Sequence, residues 1–167
     1  DVDDAVAFKA LLDWLLDAKR QGLILALHDR SDGGLITTLL EMAFASRLGL
    51  DVAIEASEDL VAALFNEEIG FVAQVEVAQL AELSAAAPCT VTAVAHLRVD
   101  ERVLIHHGEE LAAEYSRGEL QQLWADTSYR MQRLRDSEAC ADEEFADILQ
   151  ARHDDPGLSA KLTFEPA

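Results

Sequence analysis

Leu23–Leu35, LILALHDRSDGGL, is the stretch on which the reading of this chain turns: an apolar run breaks off into a charged, hydroxylated turn with two glycines. Ile24, Leu25 and Leu27 read as a short buried strand. After Gly33-Gly34, the apolar residues Leu35, Ile36, Leu39, Leu40, Ala43 and Phe44 recur at helical spacing. The unit is strand, turn, helix. Such a turn gathers backbone N–H groups at the positive end of a helix dipole, an arrangement that favours a bound phosphate. Asp29 and Asp32 flank it, and two carboxylates beside an anion make chemical sense when a divalent cation lies between them. The GxGxxG and Walker patterns are both absent. The residues alone therefore leave two readings open: a nucleotide or phosphate site, or a tight turn capped by an Asp or Ser.

Outward from this unit, residues 1–20 carry Val6, Phe8, Leu11, Leu12, Leu15 and Leu16 as a helical stripe ending near Gly22, suited to packing on the strand that follows. LDVAIEA at 50–56 alternates as a strand, and Ser57 with Glu58 opens a helix whose core face is Leu60, Val61, Leu64 and Phe65, closed by Gly70. FVAQVEV at 71–77 is another alternating strand, and a helix over 78–86 stops before Pro88. VTAVAHLRV and RVLIHHG read as two adjacent strands broken at Asp100-Glu101. Short strands interleaved with helices predict an α/β (α+β) fold, a mixed sheet covered by helices.

Beyond residue 108 the character changes. Residues 109–136 are nearly continuous helix formers with a break at Gly118, a second acidic helix is expected over 139–150, and HDDPGLSAKLTFEPA reads as a linker or docking arm, the least ordered part of the chain. The division is thus 1–108 as an α/β domain and 109–167 as a helical extension with a tail.

Composition removes several functions. At 167 residues, half of them apolar, the chain can build one core. No stretch reaches the roughly eighteen apolar residues of a membrane span and no leader pattern opens the chain, which reads as cytoplasmic. Cys89 and Cys140 lack a CxxC neighbour and read as reduced thiols. A formal charge of −19 opposes binding to nucleic acid or to anionic lipid. Trp14 and Trp124 read accordingly as core or interdomain anchors, with no basic groove to make them stacking platforms.

Four segments carry a more specific signal: HDRSDGGLITTLLEMAFASRLG (28–49), LVAALFNEEIGFVAQV (60–75), WADTSYRMQRLRDSEACADEEF (124–145) and DDPGLSAKLTF (154–164). In this order and spacing they resemble the phosphoribosylformylglycinamidine synthase family in its large single-chain form. The last two segments separate the chain from sister families such as the selenophosphate synthetases and the hydrogenase-maturation proteins. The resemblance implies a fragment: the second C-terminal-type domain of the aminoimidazole ribonucleotide synthase superfamily, followed by a connector toward a glutaminase. The parent would be an ATP-dependent ligase converting formylglycinamide ribonucleotide, glutamine and ATP to formylglycinamidine ribonucleotide in purine biosynthesis. It further implies Mg2+ on Asp29 and an ATP/ADP-type nucleotide, auxiliary to the reaction, at Ser31 and Gly33. The remaining metal ligands would belong to a preceding domain, and the partners would be the other domains of the parent. No residue here matches a glutaminase Cys-His-Glu set, so no catalytic residue is expected and the fragment alone is expected to be inactive. A domain of the same enzyme that serves as a scaffold without ligand is the alternative.

The remaining polar clusters carry weaker expectations. His28 is expected to hydrogen-bond within the turn. His106 and His107, adjacent on a strand, point to opposite faces and are poorly placed to share an ion. Asn66, Glu67 and Glu68 read as a solvated helix end, and Arg130, Arg133 and Arg135 as partners for neighbouring acids.

Overall fold

The computed structural model describes residues 2–155 and Thr163. The expected tail lies mostly outside these residues. Helix α1, Ala5–Arg20, starts where the Asp4 carboxylate accepts the N–H groups of Val6 and Ala7, a cap supplied by the sequence itself. Strand β1, Ala26–Asp29, follows and leads through residues 30–33 into helix α2, Gly34–Ser46. Strand β2 is Gly49–Ile54, helix α3 Leu60–Phe65, and strand β3 Phe71–Gln74. A single 3-10 turn at Val77–Gln79 precedes helix α4, Leu80–Ala86. Strands β4, Ala95–Arg98, β5, Arg102–His107, and β6, Glu110–Ser116, complete the sheets, and helices α5, Arg117–Arg135, and α6, Glu138–Asp147, close the described chain.

The strands form two sheets. β1 and β3 pair antiparallel on their own, and the larger sheet has the order β4-β2-β5-β6, with β2 antiparallel to β4 and parallel to β5. In β2 the inward residues Leu50, Val52 and Ile54 alternate with Asp51 and Ala53, which places one face against helices and leaves the other to charged groups. Ile36, Leu39 and Ala43 of α2, Leu64 of α3, and Val103 and Ile105 of β5 complete that core. Val52 and Val103 are fully buried. At about 1.5–3 kcal/mol per buried aliphatic side chain, this cluster outweighs any surface ion pair in holding α2 over the sheet. The mixed sheet with helices on one face is the expected class.

Several local expectations are corrected. β4 and β5 are not neighbours: β2 lies between them, and the link Val99–Glu101 crosses the start of β2. Gly49 makes this crossing possible, because a Cβ there would lie 2.2 Å from the Arg102 carbonyl oxygen. The expected helix over 109–116 is instead β6, joined to β5 by the turn at 108–109, so a hairpin spans the expected boundary at residue 108. Glu, Leu and Ala favour a helix weakly, and pairing with β5 overrides that preference. The helix proper starts at a capping box in which Ser116 and Glu119 satisfy each other's backbone N–H groups.

β1 is not buried. Leu25 and Leu27 are half exposed, since β1 has one strand partner and α2 covers only the side that carries His28. Helix α3 is capped by Asp59 rather than opened at Ser57-Glu58, and it ends at Phe65, well before Gly70. Of its expected core face only Leu64 is fully buried, while Val61 and Phe65 are exposed. α1 turns its aromatic ring to β3, where Phe8 stacks on Phe71 at 6.5 Å between ring centroids.

Helices α5 and α6 are tied to the β4–β5 crossing by one buried ion pair. Arg117, at the start of α5, is 1% exposed and donates to Glu101 Oε2 at 2.6 and 3.1 Å, to Gln121 Oε1, and to the carbonyls of Ile148 and Ala151. Glu101 sits in the β4–β5 crossing with a positive φ of 56°. The crossing, the first turn of α5 and the end of α6 therefore meet on one guanidinium. Farther along α5, Tyr129 stacks on Phe145 of α6, Arg133 reaches Asp142 at 2.7 Å, and Arg130 and Arg135 pair with Asp126 and Asp136. The three arginines are thus engaged within the chain.

Candidate functional site

The β1–α2 turn brings Asp29, Ser31 and Gly33 together at the mouth of helix α2. Asp29 is the last residue of β1, and its carboxylate accepts the Ser31 hydroxyl at 2.9 Å. That bond, then a bond from its own backbone amide, holds the Asp29 carboxyl below its ordinary range, so it is an anion at neutral pH. The Asp29 carbonyl is also held: Thr38, buried on the second turn of α2, donates to it at 3.3 Å, and His28 Nδ1 lies 2.7 Å away. Gly33 and Gly34 take φ of 85° and 72°, a left-handed pair that other residues adopt only with strain. Space is as tight as conformation, since a Cβ on Gly34 would lie 2.5 Å from the backbone of Phe65.

The loop after α3 closes over this turn. Arg30 donates through Nε to the Glu68 carbonyl at 2.6 Å and through its backbone N–H to the Gly70 carbonyl at 2.8 Å. Asn66 accepts the Glu68 N–H at 2.6 Å. The cap of α2 is neither an Asp nor a Ser of the turn. Gly33 occupies the cap position, Ser31 is turned to Asp29, and the Gly33 N–H is bound by Glu67 Oε1 at 2.8 Å. The Gly33 N–H is therefore satisfied by a carboxylate of the chain itself. Asn66, Glu67 and Glu68 are the exposed turn that follows the end of α3 at Phe65, as expected, and this turn packs its Glu67 carboxylate on Gly33. Nothing in the sequence pattern pairs Glu67 with Gly33, because thirty-four positions separate them.

Metal capacity follows from the donors present. Among the described residues no group of three or more His, Cys, Asp or Glu side chains could hold an ion. Asp29 offers one ionised carboxylate, which fits Mg2+ bound through one protein ligand with waters and phosphate oxygens for the rest. His106 and His107 turn to separate partners, Asp51 at 3.3 Å and the Glu58 carbonyl at 2.9 Å. Cys89 and Cys140 are exposed free thiols.

Residues 1–107 match the family described as AIR synthase related protein, C-terminal domain. The chain belongs to this family. Solved structures from Thermotoga maritima share the fold of this AIR synthase related domain. PurLQS aligns over 70% of the chain at 19% identity with a TM-score of 0.61, covering 22% of its own chain. PurL complexed with ATP aligns over 70% at 16% identity with a TM-score of 0.62, covering 22% of its chain. A phosphoribosylformylglycinamidine synthase II aligns over 68% at 17% identity with a TM-score of 0.59, covering 21%. The chain therefore spans about a fifth of the length of these structures. No helix among the described residues is long and apolar enough to cross a membrane.

Proposed function

We propose that this AIR synthase related domain is one part of a cytoplasmic ATP-dependent amidoligase of the phosphoribosylformylglycinamidine synthase type, acting in purine biosynthesis. In this reading Asp29 supplies one Mg2+ ligand, and Ser31 and Gly33 hold an ATP or ADP, an auxiliary nucleotide that stabilises the assembly. What supports it is the convergence of an ionised carboxylate, a hydroxyl fixed upon it and an oxyanion-binding N–H in a single rigid turn. When bound there, Mg2+ would neutralise phosphate charge beside the turn. The chain's own part is to present one Asp29 oxygen, to keep the Ser31 hydroxyl in register and to exchange the Glu67 carboxylate for a phosphate oxygen on Gly33. The other metal ligands come from a preceding domain of the parent, and the glutaminase is a further partner domain. We retain the division at residue 108, with 109–167 as an extension whose first strand joins the sheet.

The test is nucleotide occupancy in the intact parent. Asp29→Asn should lower the nucleotide that co-purifies and the melting temperature, and unchanged occupancy would refute the assignment. The 167-residue chain alone should show no synthetase and no glutaminase turnover. The carboxylate of Glu67 on Gly33 favours a second reading, a scaffold domain whose turn is closed by its own side chain. Under that reading neither the parent nor its Ser31→Ala variant gains melting temperature with Mg-ATP.

A further inference from the structure

Helix α5 reaches the Asp29 turn through a side chain that the turn's own sequence does not reveal. Glu41 lies on α2 between β1 and α5, about one-third exposed, with both carboxylate oxygens engaged. Trp124 of α5 donates its indole N–H to Oε1 at 3.0 Å, and His28 Nε2 lies 3.3 Å from Oε2. The other nitrogen of the same imidazole lies 2.7 Å from the Asp29 carbonyl oxygen. Three elements thus meet on one carboxylate, at the edge of a depression of about 440 Å3 lined also by Phe44, Ala45 and Gln121. A carboxylate beside the Phe44 and Trp124 rings is a poor packing residue, and its value here is that it accepts the indole N–H on one side and lies 3.3 Å from an imidazole nitrogen on the other.

We propose that Glu41 is a positioning residue that couples α5 to the Asp29–Gly33 turn through His28, so that the seating of the extension sets the geometry of the turn. If α5 shifts, Glu41 loses its indole donor and the His28 ring loses its anchor. The Asp29 carbonyl then keeps the Thr38 hydroxyl at 3.3 Å, a donor shared with the Gly34 carbonyl at 3.0 Å. The inference rests on the proposed nucleotide role only for its consequence in binding, not for the coupling itself.

The experiment records backbone amide resonances of the 167-residue chain. Trp124→Phe keeps an aromatic ring beside Phe44 and removes the indole N–H together with the second ring, so Glu41→Gln, which leaves the rings intact, is read beside it. Each should move the Ser31 and Gly33 amides, whereas Tyr129→Phe, which removes a hydroxyl bonded to Asp142 on the side of α5 facing α6, should leave them in place. Should Trp124→Phe fail to fold, Glu41→Gln is read alone. Loop amides that stay unmoved in a folded Trp124→Phe or Glu41→Gln variant overturn the coupling, as do amides moved equally by Tyr129→Phe. Titration with Mg-ADP in the intact parent separates the two claims: affinity about three- to tenfold weaker in Trp124→Phe is the expected loss for one hydrogen bond. A parent that never binds Mg-ADP refutes the nucleotide reading and leaves the amide result to decide the coupling.

Discussion

Replacing Arg117 by Met tests most directly the join between the β4–β5 crossing and helices α5 and α6. Arg117 is 1% exposed and satisfies one carboxylate, one amide and two carbonyls. Removing it leaves Glu101, itself 7% exposed, with Arg152 at 3.5 Å, a side chain that is mostly in water. Breaking a buried pair from one side costs about 3–5 kcal/mol, because the orphaned charge stays desolvated. Two carbonyls at the end of α6 lose their donor as well, so the upper half of that range applies. At roughly 2–4 °C per kcal/mol for a chain of this size, melting should fall by about 8–20 °C. Urea denaturation followed by circular dichroism should show a lower midpoint at unchanged slope. The double variant Arg117→Met/Glu101→Met removes both charges and should recover most of the loss, to within about 1–2 kcal/mol of the starting chain. A single variant that loses less than about 1 kcal/mol, or a double variant that falls as far as the two singles added together, would refute the argument that the pair acts as a unit.

Gly49→Ala should destabilise by about 1–3 kcal/mol or more through overpacking, since its new methyl meets the backbone of Arg102 at 2.2 Å, and a neutral melting temperature would contradict the crossing described above. Asp100, bonded by Arg98 at 2.5 and 2.9 Å, has its carboxyl lowered from 3.8 to about 2. Since the folded value is the lower one, this pair's contribution is complete above pH 3.8 and is lost as the pH falls toward 2. A carboxyl carbon titration by NMR should place the midpoint near 2, and Arg98→Gln should return it toward 3.8.

The elements legible in the sequence are those whose signal is local. Periodicity from Leu35 to Phe44 marks α2, alternation from Leu50 to Ile54 marks β2, and the Gly33-Gly34 pair marks the turn before the helix. Residues 110–116 were illegible because their strand state comes from pairing with β5, not from their own preferences. The order of β4 and β5 was hidden for a related reason: a short link between two strands ordinarily makes a hairpin, and only the insertion of β2 forces it to bridge a strand. At the candidate site, the residues alone marked the turn with its flanking Asp29, and the roles of Asp29, Ser31 and Gly33 came only with the family resemblance. Glu67, Glu41, Trp124 and Arg117 act across tens of residues, and neither spacing nor composition indicates which donor will meet which acceptor.

The placement of β2 bears on how the chain is made. Leu50, Val52 and Ile54 leave the ribosome well before Val103 and Ile105, the neighbours that shelter them, so for much of synthesis the future centre of the sheet has only α2 and α3 to lie against. The sheet closes when β5 arrives alongside β2, and the link carrying Glu101 must then already be draped across Gly49. Assembly of this domain is therefore a late, long-range event, and any truncation before β5 should yield a sticky, unfinished polypeptide in place of a smaller domain.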